Sequence, residues 1–201
     1  MYSDIFDRIE NGTMGPIGQY FKDGFGYYLY PRLEGELGPH MVFNGVEVLN
    51  WSLNNYLGLA NHPEVRKADA EAAEKYGLAY PMGSRFLSGH TREHEKLEKI
   101  FADFEKKEDA FLFNFGYQGI VSTIDALTGM HDVIVYDAES HACLLDGIRL
   151  HMGAKYKFRH NDMADFGRKI AIACRKAEEN GGGVLVITEG VFGMTGAIDR
   201  K

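Results

Sequence analysis

Val186-Ile187-Thr188-Glu189-Gly190-Val191-Phe192-Gly193-Met194-Thr195-Gly196 is a short apolar run that ends in an acid and passes into a glycine-punctuated loop. A second run, Val133-Ile134-Val135-Tyr136, leads within a few residues to Ser140-His141-Ala142. Short apolar runs bounded by turn formers read as buried strands. In open α/β sheets, ligands bind outside the carboxyl ends of the strands. If the two runs lie side by side, His141 and Glu189 meet at that end.

The rest of the chain fits this reading. Candidate strands are Ala110–Phe113, Val133–Tyr136, Lys155–Phe158 and Val184–Thr188. Candidate helices are Gln118–Leu127, Ala142–His151 and Ala164–Glu179, the last stopped by Asn180-Gly181-Gly182-Gly183. Alternating strands and helices imply an α/β fold with a mostly parallel sheet flanked by helices. Upstream, His62-Pro63-Glu64 opens a helix to about Tyr76, and Gly77 ends it. Thr91 caps another, where Leu97, Ile100, Phe101 and Phe104 recur at helical spacing and are assigned to the core. Met41 to Leu49 reads as a hairpin turned by Asn44-Gly45, a type I′ pair. Residues 1–50 are taken as an N-terminal segment and hairpin, and 51–201 as the first part of a larger domain. The lead-in, rich in glycine and aromatics around Phe21 to Tyr30, is expected to pack on a larger body.

Composition bounds the function. With 201 residues, 45% hydrophobic and 25% charged, the chain is globular rather than disordered. A net charge of -7 and the lack of a Lys/Arg run give no support to a nucleic-acid partner. Cys143 and Cys174 have no metal-site spacing, which fits a reducing compartment. The first residues lack a signal-peptide layout, and no apolar run is long enough for a transmembrane segment. The expected location is cytoplasmic.

Several segments carry chemistry. Asn114-Phe115-Gly116-Tyr117-Gln118-Gly119 follows a candidate strand and opens a helix, where free amides bind phosphate and Gly116 allows close approach. By itself, a glycine at such a turn is more often structural. Gly83-Ser84-Arg85-Phe86-Leu87-Ser88-Gly89 places an Arg between glycines, a setting for anion contact, with His94 beyond it. Ser52-Leu53-Asn54-Asn55-Tyr56-Leu57-Gly58-Leu59 reads as a turn after the hairpin. An isolated His such as His141 is usually a satisfied surface or core residue, and a strand-end acid such as Glu189 is often a cap. Arg32, in Tyr30-Pro31-Arg32, is by itself a solvated loop residue. His160-Asn161-Asp162 reads as structural, with Asn161 or Asp162 capping the next helix.

Together these segments resemble the α-oxoamine synthases, a family of fold type I pyridoxal-phosphate enzymes. Asn54 to Leu59 resembles the family's Asn-x-Tyr-Leu-Gly-Leu, and Gly83 to Gly89 with His94 resembles its Gly-Ser-Arg-x-x-x-Gly followed by His. Gly116-Tyr117 resembles its Ser/Thr-Gly-Phe/Tyr phosphate turn. Asp137 to Leu144 resembles Asp-x-x-x-His-Ala-Ser-Leu, and Thr188 to Gly196 resembles Thr-Glu/Asp-Gly-Val-Phe-Ser-Met-Asp/Glu-Gly. Phe115, Cys143, Gly193 and Thr195 depart from these patterns, and Pro81-Met82 replaces the usual small residues before Gly83.

The resemblance implies pyridoxal 5'-phosphate as cofactor. His141 would be the catalytic residue, stacked on the pyridine ring and helping to position the substrate carboxylate. Gly116, Tyr117 and Glu189 would serve the cofactor. Asn54, Arg85, Arg32 and Tyr56 would serve the substrates, an amino acid and an acyl thioester joined with loss of carbon dioxide. Alanine, serine, glycine and cysteate are the candidate amino acids. A homodimer sharing its active sites is implied, and no metal. The family's Schiff-base lysine and its Asp-x-Ala-His segment are not among these residues, so the 201-residue piece alone is expected to be inactive. A lysine-less partner subunit and an aminotransferase on the same fold are the rival readings, and the Gly-Ser-Arg segment speaks against the latter.

Overall fold

The computed structural model describes residues 4, 6, 7, 30–78 and 80–199. The aromatic lead-in before Tyr30 therefore lies outside the described residues. The chain divides into two compact units, residues 1–91 and 92–201.

The first unit holds a three-stranded antiparallel sheet in the order β1-β2-β3, with β1 Leu33–Glu34, β2 His40–Phe43 and β3 Val46–Leu49. The expected hairpin is β2–β3. Asn44 and Gly45 take φ of 50° and 75°, the left-handed values a type I′ turn needs. β1 is too short to leave a periodic signal, and it pairs Leu33 with Phe43. Helix α1, Pro63–Tyr76, starts with proline at its first turn and stops at Gly77, whose amide bonds the Ala73 carbonyl. An Arg66–Glu36 ion pair of 2.7 Å ties α1 to the chain after β1.

The second unit contains α2 Arg92–Glu105, α3 Gly116–Leu127, β4 Val133–Asp137, α4 Ala142–Leu150, β5 Ala154–Phe158, α5 Met163–Asn180 and β6 Val184–Ile187. Its sheet is parallel with order β5-β4-β6, so the central strand is the first in sequence. Side chains alternate across a strand. Accordingly, Val133 and Val135 pack with Phe158 and with Ala173 and Ala177 of α5. On the other face Ile134 and Ile187 pack with Ile124 of α3 and Ile148 of α4. Helices on both faces explain why β4 is apolar at successive positions from Val133 to Val135 rather than alternating.

Two expectations are corrected. Residues 110–113 form no strand. A strand exists only where a neighbour supplies a ladder; here the Leu112 amide instead donates to Glu98 Oε1 at 2.7 Å. The apolar stripe of α2 is not core either: Ile100 is 55% exposed and Phe104 78%, with Leu97 and Phe101 also on the surface. Its only buried residue is Ala102. The helical period was read correctly, but burial depends on what covers the stripe.

Asp132, just before β4, ties together the amino-terminal ends of β4 and β6. Its Oδ2 accepts from the Gly129 amide and its Oδ1 from the Gly183 amide, each at 2.7 Å. These two amides hold its carboxyl below the usual carboxylate range. The folded state therefore binds fewer protons than the unfolded chain in this interval. The contribution is complete above the unfolded value of about 3.9 and is lost as pH falls through the lower folded value. Asp132→Ala should lower the urea midpoint near neutrality, with the gap to the parent narrowing below about pH 4. A gap that stays constant across that range would remove the carboxylate from the ladder's support.

Candidate active site

The carboxyl ends of β4 and β6 build the first part of the site. The parallel register sets Tyr136 opposite Ile187. β4 then runs through Asp137 into a short turn, and His141 becomes the N-cap of α4. Its Nδ1 accepts from the Cys143 amide at 3.2 Å. A backbone amide can only donate, so this nitrogen carries the lone pair and Nε2 carries the proton of the neutral ring. The buried Cys143 Sγ lies 2.9 Å from the same nitrogen. The thiol that replaces the family's serine is therefore directed at the imidazole. The imidazole is on the surface of this unit, and its Nε2–H is a donor toward an incoming anion.

Glu189 lies two residues past β6, and its Oε1 accepts from the His141 amide at 2.5 Å. The structure thus brings together the two residues expected to meet. The acid holds the backbone of His141 rather than its ring. The following segment folds back on itself through a Val191–Ile198 bridge. Thr188 Oγ1 lies 3.2 Å from Asp199 Oδ2 across its base.

α3 begins at Gly116. Its N-cap, Phe115, is extended and makes no side-chain capping bond. The first amides of a helix have no intrahelical acceptor and carry the positive end of its dipole. No acidic residue occupies the first turn. A Cβ built on Gly116 would meet nothing within 4 Å, so there is open space beside these amides. Donors without a cap, positive potential and room suit a phosphate. Tyr117, the next residue, donates its hydroxyl to Asp146 of α4. That bond is the main cause holding the phenol above its ordinary value and the carboxyl below its own. The Tyr117 hydroxyl is thus committed to α4, and its amide and ring face are what it offers a ligand.

Arg85, Asn54, Tyr56 and Arg32 belong to the first unit. The half-buried Arg85 donates from Nη2 to His90 Nδ1 at 2.9 Å. Its loop is closed by the Ser84 carbonyl, which accepts from the amides of Leu87, Ser88 and Gly89 at 3.1, 3.1 and 2.7 Å. A Cβ on Gly89 would lie 2.0 Å from the Gly83 carbonyl oxygen. The paired glycines let the loop close on itself. In the next segment Asn55 makes the turn, accepting from the Ala60 amide at 3.1 Å. Asn54 is exposed, with its Oδ1 3.5 Å from the hydroxyl of Tyr56. Arg32 is exposed immediately before β1.

Sequence reasoning took His160 as structural and gave Asp137 no role of its own. Asp162 does cap α5, accepting from the Asp165 amide at 2.8 Å. His160, however, reaches Asp137 at 2.9 Å, and Asp137 is fully buried. An acid at the end of an otherwise apolar strand was the available signal. Among the described residues, no group of three or more His, Cys, Asp and Glu is arranged to hold a metal ion. No helix among them is long and apolar enough to cross a membrane.

Residues 46–200 match the family model for aminotransferase class I and II. The chain belongs to this family. A cysteate-C-fatty acyltransferase from Capnocytophaga ochracea is 60% identical over 96% of this chain and 46% of its own length. An 8-amino-7-oxononanoate synthase from Treponema denticola is 42% identical over 84% and 41%. A serine palmitoyltransferase from S. paucimobilis, solved with a bound PLP–myriocin aldimine, superposes with a TM-score of 0.85 at 27% identity, covering 98% of this chain and 48% of that one. These relatives bear out the α-oxoamine synthase resemblance, the fold type I large domain and pyridoxal phosphate as the cofactor of this class I and II aminotransferase relative. The chain spans less than half the length of each.

Proposed function

We propose that the whole protein is a pyridoxal-phosphate-dependent acyltransferase of the α-oxoamine synthase type. It joins an amino acid to an acyl thioester. A bond forms between the amino acid Cα and the thioester carbonyl carbon, and the thiol and carbon dioxide leave. The observation that carries this reading is His141, held by its amide on Glu189 at 2.5 Å and by its Nδ1 on Cys143, at the sheet end beside α4. The likeness to the cysteate-C-fatty acyltransferase supports cysteate as the amino acid and a fatty acyl thioester as its partner.

The uncapped amides at Gly116 and Tyr117 would hold the cofactor phosphate, as their open, positive surroundings fit it. When bound, pyridoxal phosphate supplies the electron sink that acidifies the substrate Cα–H. His141 would pack its flat ring on the cofactor, with Nε2–H available to the substrate carboxylate. Its ring cannot invert this role without losing the Cys143 amide bond. Glu189 keeps the backbone of His141 in place. Arg85, Asn54, Tyr56 and Arg32 orient the two substrates, Arg85 and Arg32 as partners for anionic groups. A homodimer in the cytoplasm, with active sites shared between subunits, completes the reading.

Carbon dioxide release by the purified whole protein tests this, with a fatty acyl thioester and each candidate amino acid in turn. Cysteate should exceed serine, alanine and glycine in kcat/KM by about ten-fold or more, because only its side chain offers a second anionic group to an arginine such as Arg85 or Arg32. Borohydride should trap stoichiometric cofactor on the protein. Loss of a yellow, trappable form would move the protein to the non-catalytic partner reading. Amino-group transfer to an oxo acid without carbon dioxide release would move it to an aminotransferase.

A further inference from the structure

We propose that His160, paired with the buried Asp137, is a positioning residue that locks the His141 turn to the Glu189 loop. The functional reading above says why those two segments matter; the lock itself stands on the geometry.

Asp137 is the last residue of β4 and is fully buried. Its Oδ1 accepts from the Glu139 amide and from His160 Nδ1, each at 2.9 Å, and its Oδ2 from the Asn161 amide at 3.1 Å. Its own carbonyl accepts from the hydroxyl of the buried Ser140 at 2.9 Å. The turn that delivers His141 is thus wound around Asp137 from both sides. A carboxylate only accepts, so His160 donates through Nδ1 and presents Nε2 outward. Asn161 Nδ2 lies 3.2 Å from that Nε2, and Glu139 Oε2 lies 3.6 Å from it.

The same residues hold the other loop. The His160 ring meets Phe192 edge to face at 4.5 Å between centroids. Phe192 is buried, and its amide bonds the Ala197 carbonyl at 2.9 Å. Asn161, at a φ of 52°, donates from Nδ2 to the Ile198 carbonyl at 3.2 Å. Asparagine is among the non-glycine residues that most readily adopt this left-handed conformation. His160 therefore touches the turn before His141 on one edge and the loop after Glu189 on another. The His141 amide to Glu189 contact closes the circuit between them. Fixing two loops to one imidazole sets where Glu189 stands relative to His141, which pairwise contact at the surface would not do.

Amide hydrogen exchange on the whole protein tests the lock without relying on activity. His160→Leu should speed exchange at Glu139, His141 and Phe192 by about ten-fold or more while leaving the β4 ladder amides unchanged, as expected of a local opening. His160→Asn places an amide nitrogen near the position of Nδ1 and should restore most of the protection at Glu139 and His141. In kinetics, His160→Leu should lower kcat more than it raises KM, with His160→Asn intermediate. Unchanged exchange at Glu139 and His141 in His160→Leu would overturn the proposal. So would an equal rise in the β4 ladder, which would make His160 a general stabiliser, or a failure of His160→Asn to restore protection. If the exchange pattern is as expected but the whole protein takes up no pyridoxal phosphate, the lock stands and the functional reading falls.

Discussion

Replacing His141 by Ala should lower kcat/KM of the whole protein by about a hundred-fold or more, a loss in the range carried by orientation and proton donation at a reacting centre. The residue has two jobs that a single variant would confuse. It is also the N-cap of α4, and loss of a cap costs about 0.5–2 kcal/mol. His141→Asn separates them. Asparagine is among the best N-cap residues, and its side-chain oxygen can accept from the first-turn amides. It has neither the imidazole ring nor the Nε2–H. His141→Asn should therefore melt with the parent and be catalytically as impaired as His141→Ala. Parallel thermal unfolding and steady-state kinetics decide the matter. Full turnover in His141→Asn would reduce the residue to a helix cap.

The largest effect on stability is expected from Phe158→Ala, at about 3–5 kcal/mol. Phe158 is fully buried at the end of β5, opposite Asp137 in the parallel ladder. It packs among Val133, Val135, Ala173 and Ala177, with Phe166 edge to face at 5.2 Å. Its neighbours sit on two strands and on the 18-residue helix α5, so the hole cannot collapse by moving one side chain. Urea unfolding of parent and variant measures the difference. A loss below about 1 kcal/mol would show that the two strands and α5 relax around the site more freely than close packing allows. The substitution is also two residues from His160, so cofactor binding should weaken before global unfolding is complete.

The residues of the candidate site were easier to read than their work. The apolar runs and helix stops placed His141, Glu189, Gly116 and Tyr117 at strand ends and turns, because strand, turn and cap chemistry are local properties of a few neighbouring residues; their roles came from the resemblance. The hairpin was legible for the same reason, since Asn44-Gly45 carries its turn within two residues. Residues 110–113 were misread because an apolar run says nothing about whether a ladder partner stands beside it. The α2 stripe was misread because 3.6-residue periodicity records which side is apolar and not what covers it. The paired glycines around Arg85 were read toward a ligand; the tertiary structure adds that a Cβ on Gly89 would run into the Gly83 backbone and one on Gly83 into the Ser88 hydroxyl.

From the sequence alone came the α/β alternation, the parallel sheet, the family and the identity of the residues at the strand ends. The alternation and the sheet follow from periodicity and turn formers, and the family and the site residues from the resemblance of the quoted motifs, none of which needs knowledge of distant contacts. Only the tertiary structure decided the strand order β5-β4-β6, which places the first strand in the centre, between the segments that carry His160 and Glu189. It also decided that the Glu189 carboxylate serves the backbone of His141 and that the imidazole is held in its Nε2–H form by the Cys143 amide. The Cys143 bond spans two residues, whereas the His160–Asp137 and His141–Glu189 bonds join residues 23 and 48 positions apart. Partners of that kind are chosen by the register of the sheet, which no local pattern encodes.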